Sequence, residues 1–209
     1  MPQAEATVAA FSVSPLCVAA APLLQLLAGL GTLRRAPDVW KLRERAVQEL
    51  TAFEHRAQDA GIAMDLLRPA HYALCASIDD FVVNTPWGAT SGWANQALVK
   101  ALHPTARGTD QYFEQLQQML RAPKKFLPVI ELMFLCLSLG FMGRYRQARG
   151  GELEQMRSDA HAAIATQTAA TEPELSRRWR GVIVPYQTTR HSVPVWVAFA
   201  AAVDRKSVV

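Results

Sequence analysis

Apolar positions recur along the chain at spacings of three and four, and two stretches are apolar on almost every side. The richer spans residues 69–93. Leu67, His71, Leu74, Ile78, Phe81 and Val82 fall on one helical stripe, and Tyr72, Cys75, Ala76 and Val83 cover much of the remainder. A helix apolar on most sides is buried on most sides. Two adjacent acids, Asp79 and Asp80, interrupt this one. Neighbours on a helix diverge by about 100°, so the two cannot easily share a partner, and an unpartnered buried carboxylate is costly. Either the pair opens into a cleft, or each acid has its own cation or N–H donors. Pro86 disfavours helical geometry at Thr85 and lacks an N–H, which ends the helix. Gly88 then permits a tight reversal, and Ser91 is placed to cap a further helix over residues 92–102.

The same periodicity predicts the flanking elements. Pro15 suits a first helical turn, followed by the stripe Leu16, Ala19, Ala20, Leu23, Leu27 and Leu30, with Pro22 as a bend or early break. Asp38 heads an amphipathic helix whose apolar face is Leu42, Ala46, Leu50, Phe53 and Ala57 and which Gly61 ends. His103-Pro104 closes the helix after Trp93. Tyr112, Phe113, Leu116, Met119 and Leu120 face inward on a helix that Pro123 stops. Pro128 opens the second nearly continuous apolar run, residues 130–141, which is shorter than the roughly 17–25 residues a bilayer span needs and is read as a second buried helix packed on the first. Leu153, Met156, Ala160, Ala163 and Ile164 mark a last amphipathic helix. Residues 173–180 form a short basic segment, and residues 182–184 carry the one hint of a strand. The fold class expected is all-α, with seven to eight helices.

Composition narrows the class. Half of the 209 residues are hydrophobic and 19% are charged, which describes a folded domain. The net charge of +4 comes from scattered Arg and Lys with no basic run interleaved with aromatics, so nucleic-acid binding is not expected. Cys17, Cys75 and Cys136 are odd in number and lie within apolar runs, which argues for a reducing compartment. The N-terminus lacks a positive leader region, so the main domain is expected in the cytoplasm. Residues 1–13 read as a loose tail, 14–184 as the helical-bundle domain, and 185–209 as a linker and an incomplete membrane anchor. The apolar run 193–203 rises only about 16 Å as helix against a hydrocarbon core of about 30 Å.

Long motifs give the chain a family resemblance. Tyr72-Ala73-Leu74-Cys75-Ala76, Ile78-Asp79, Thr85-Pro86-Trp87-Gly88 and Ser91-Gly92-Trp93 form one block. Glu131-Leu132, residues 135–141 and Gly143-Arg144-Tyr145 form a second. Together with Pro15 and the apolar run after it, these resemble the signature of the DotU/TssL family, over most of residues 15–183. The resemblance implies two packed three-helix subbundles in a hook-like arrangement. It implies a non-enzymatic scaffold of the type VI secretion system at the inner membrane, with its main domain on the cytoplasmic face. The partners implied are a TssM/IcmF-like membrane subunit, a TssK-like baseplate subunit and a second copy of the chain. A DotU-like component of a type IVb system is the alternative. Two departures stand out: the family pattern has Asp-Glu where this chain has Asp79-Asp80, and residues 103–109 lack the common His-Gly-Glu and Gly-Gly pattern.

The candidate chemistry is sparse. Asp79, Asp80, Arg144 and Tyr145 are read as a partner-binding cleft, with an ion pair to Arg144 as the simpler structural role for the acids. Substituting Asp79→Lys is expected to abolish partner binding while the fold is kept. Pro86, Trp87, Gly88 and Trp93 are read as a structural turn with both indoles in the core; exposed, they would be interface anchors. A small α-helical hydrolase with Asp79 as base is the rival reading, disfavoured because adjacent helical acids diverge. His71, His103 and the cysteines lack metal-ligand spacing, so no metal, cofactor or catalytic residue is assigned.

Overall fold

The computed structural model describes residues 14–171 except 34 and 148–150. The expected tail, the basic segment, the strand hint at 182–184, and the linker and anchor at 185–209 lie outside the described residues. Among the described residues there are seven α-helices: α1 (Pro15–Thr32), α2 (Val39–Asp59), α3 (Met64–Val83), α4 (Leu98–Leu102), α5 (Gln111–Met119), α6 (Pro123–Leu139) and α7 (Glu152–Thr171). Short 3₁₀ turns occupy Trp93–Gln96 and Gly143–Gln147. The fold is all-α, and no strand occurs among the described residues.

The helix starts follow local chemistry. Ser14 accepts from the Cys17 N–H ahead of Pro15, and Asp38 accepts from the N–H groups of Trp40 and Lys41, each satisfying donors that a helix leaves orphaned. Pro22 lies inside α1, which runs on to Thr32, so the early break does not occur. Helix α6 begins at Pro123 and not at Pro128. Proline at the first helical position gives up only an N–H that would be orphaned anyway. Pro128 then sits inside the helix, and the buried face of Val129, Ile130, Leu132, Met133, Cys136 and Leu137 offsets its lost hydrogen bond. This earlier start makes the stretch Pro123–Arg146, like α1, long and apolar enough to cross a membrane by length and composition. In this fold both contribute one face to the core.

Helices α1, α2 and α3 pack against one another; α6 packs on α1, α3, α5 and α7. The two apolar helices α3 and α6 are therefore in direct contact, as their sequences predict. Along α3, every residue from Ala70 to Asp80 is buried, both acids included. The helix predicted over 92–102 is instead broken: a 3₁₀ turn runs to Gln96, Ala97 is extended (φ −52°, ψ 139°), and α4 starts afresh at Leu98. The cause lies in α3.

Candidate functional site

Asp79 is the cause. Its Oδ1 accepts from the Trp93 Nε1–H at 2.7 Å and from the Leu98 N–H at 2.9 Å, and its Oδ2 accepts from the Val99 N–H at 2.8 Å. An acid on one helix thus caps the first turn of another. A continuous helix over 92–102 would commit the Leu98 and Val99 N–H groups to carbonyls four residues back, so the break at Ala97 frees them for the carboxylate. Only 4% of Asp79 is exposed. Burial raises its pKa above the ordinary carboxylate value, against the opposing pull of the Val99, Leu98 and Trp93 donors and of Arg43.

Asp80 points elsewhere, as the 100° divergence requires. Its Oδ1 accepts from Asn84 Nδ2 at 2.8 Å, and its Oδ2 accepts from the Met142 N–H at 3.2 Å and from Arg146 Nη2 at 2.9 Å. It ties the end of α3 to the loop after α6. Arg146, and not the Arg144 expected from the sequence, pairs with Asp80. Gly140, left-handed at φ 117°, ends α6 and turns the chain. The 3₁₀ turn that follows presents Arg146 to Asp80, while Arg144 lies over the rings of Tyr145 (5.0 Å) and Phe113 (5.5 Å) and donates to the Tyr145 hydroxyl at 3.1 Å. Tyr145 meets Phe113 edge-on.

A cleft of about 430 Å³ opens beside the two acids. Its lining includes Val83, Asn84, Ala97, Lys100, His103 and Thr109, but neither Arg144 nor Tyr145. Of the four residues expected to form a cleft, Asp79 and Asp80 line this one and Arg144 and Tyr145 do not. The turn residues sit together: Trp93 is 2% and Trp87 8% exposed, and Gly88 lies so close to the Val82 carbonyl that a Cβ there would overlap it. Pro86 follows the end of α3 by three residues.

One group of residues was set aside by sequence spacing and is assembled by the fold. His71 and His103, 32 residues apart, approach to 2.8 Å between Nδ1 and Nε2. Cys75 Sγ lies 3.7 Å from the same His71 nitrogen. The local signal was present in the pair His71 and Cys75, four apart on one helical face; the third member could not be read without the turn that brings α4 back to α3. Burial lowers the pKa of both histidines and raises that of the Cys75 thiol.

The fold is thus an all-α bundle whose adjacent acids brace a second helix and a loop beside an open cleft. The chain belongs to the family described as type VI secretion system protein DotU, which it matches over residues 15–203. No curated protein matches the chain. Among solved structures, it is similar to the cytoplasmic domain of TssL from Acinetobacter baumannii (25% identity, TM-score 0.67, covering 73% of this chain and 98% of that one). It is similar to TssL from Vibrio cholerae (29% identity, TM-score 0.65, covering 74% and 98%). SciP/TssL from enteroaggregative Escherichia coli 042, at 21% identity and TM-score 0.64 over 74% and 90%, shares the fold.

Proposed function

We propose that this type VI secretion component is a non-enzymatic scaffold at the cytoplasmic face of the inner membrane. In this reading the cleft beside Asp79 and Asp80 receives a TssK-like baseplate subunit, and the same domain joins a TssM/IcmF-like membrane subunit. One observation supports it above others: each acid already accepts three hydrogen bonds from the chain's own donors. A general base needs a lone pair within reach of the proton it abstracts, and Asp79, 4% exposed, spends three of its roughly four acceptor sites on N–H groups of its own chain. His103 also lines the cleft, but its Nε2 is engaged with His71. These contacts count against the hydrolase reading. The family's own description favours the type VI over the type IVb apparatus.

The test is capture of a purified TssK-like subunit by the full chain. Asp79→Lys is not the right variant, because it would set an ammonium against three buried N–H donors. Lys100→Glu and Val83→Arg change exposed residues of the cleft lining and are expected to weaken capture by about tenfold or more while helicity is kept. Undiminished capture by both folded variants removes the cleft as the docking site.

A further inference from the structure

His71 and Cys75 take no part in the bracing by the acids, and His103 reaches them from the cleft lining. Its three ligand-type atoms, two imidazole nitrogens and a thiol, lie within 4.8 Å of one another. Cys75 is fully buried, His71 is 8% exposed, and His103 is half-buried at the cleft. The first two project from one face of α3, one turn apart, the spacing by which a helix offers two ligands to a single ion. His103 ends α4, immediately before Pro104. On the far side of the His71 ring, Glu54 Oε1 stands 3.5 Å from Nε2. A carboxylate on the second nitrogen fixes the proton there, so the Nδ1 lone pair, which now faces His103 Nε2, is the one offered to an ion.

We propose that His71 Nδ1, Cys75 Sγ and His103 Nε2 form a binding site for a zinc ion, with water as the fourth ligand on the cleft side. The donor set selects the metal: two imidazoles and one thiolate suit a borderline-soft tetrahedral ion and not a hard, oxygen-seeking one. The 3.7 Å between Cys75 Sγ and His71 Nδ1 is already near the ligand separation of such a site. Tetrahedral zinc with bonds of about 2.0–2.1 Å sets two ring nitrogens roughly 3.3 Å apart, so the present 2.8 Å must open slightly. His103, half-buried at the end of a short helix, is the ring that moves. As the ion enters, the His103 proton moves from Nε2 to Nδ1 and the Cys75 thiol proton passes to solvent. The bound ion replaces a histidine–histidine hydrogen bond by a clasp between α3 and α4, holding the cleft wall that His103 lines.

Cobalt titration of the reduced, chelator-treated full chain tests this directly. The wild type is expected to bind one ion per chain, with thiolate-to-cobalt charge-transfer absorption in the near ultraviolet and tetrahedral bands in the visible, both abolished by added zinc. Cys75→Ser removes the charge-transfer band. His103→Gln, at the less buried ligand, weakens binding by about tenfold or more, and Glu54→Gln by about tenfold. His55→Gln, at an exposed histidine outside the cluster, leaves binding unchanged. Zinc raises the melting temperature of the wild type on the order of 5 °C and does not raise that of His103→Gln. The proposal is overturned if the folded wild type shows no charge-transfer band. It is also overturned if the band survives in Cys75→Ser, or if zinc stabilises His103→Gln as much as the wild type.

Discussion

Asp79 and Trp93 are joined through a buried 2.7 Å hydrogen bond in which the indole N–H donates to a carboxylate that also caps α4. One side chain thereby serves three donors from a segment 14 to 20 residues away. Removing the acid strands all three. Asp79→Ala is expected to destabilise the domain by about 3 kcal/mol or more, and Asp79→Asn by about 1–3 kcal/mol, since an amide can accept at one end only. Urea unfolding measures the loss. Amide exchange at Leu98 and Val99 should accelerate beyond that at Leu74, which locates the damage in α4.

The raised pKa of Asp79, caused mainly by burial, has a definite sign in stability. A proton binds the folded state more tightly than the unfolded one. The Asp79 contribution is therefore fully present below the unfolded value near 3.8 and declines as pH rises through the higher folded value. Relative to Asp79→Asn, wild-type stability should fall as pH rises from the unfolded value near 3.8 through the raised folded value. A relative slope of zero or of opposite sign in urea midpoints would show that the donors outweigh burial.

Asp80 and Arg146 make a partly buried ion pair, with the acid 6% and the guanidine side chain 35% exposed. Solvent screening at the arginine limits its value, so a double-mutant cycle with alanine should give a coupling of about 1 kcal/mol. The same cycle between Asp80 and Arg144 should give less than about 0.5 kcal/mol, because Arg144 is engaged by Tyr145 and Phe113. Comparable coupling for both arginines would reject the pairing described here.

Gly88→Ala places a methyl group against the Val82 backbone carbonyl. Backbone cannot rotate aside as a side chain can, and the expected cost is about 3 kcal/mol. Thermal unfolding of this variant should show a fall in melting temperature on the order of 10 °C. Gly29→Ala, where nothing lies within 4 Å of the added carbon, is the control and should not lower it.

Much of this was legible in the chain. Periodicity placed the faces of α1, α2, α5 and α7, because a 3.6-residue repeat is a local property and the buried stripes Leu42–Ala57 and Tyr112–Met119 obey it. The near-continuous apolar runs identified α3 and α6 as the buried pair, and the divergence of Asp79 and Asp80 followed from helix geometry alone. What the chain did not reveal depended on contacts between distant residues. A proline's tolerance at 128 depends on what its helix buries, the break at Ala97 on a carboxylate 18 positions earlier, and the choice of Arg146 over Arg144 on how the turn after Gly140 is aimed. The meeting of His71 and Cys75 with His103 needed α4 folded back on α3. Local backbone preference and side-chain pattern are written in neighbouring residues; hydrogen-bond partners and ligand sets are set by packing, which no single stretch encodes.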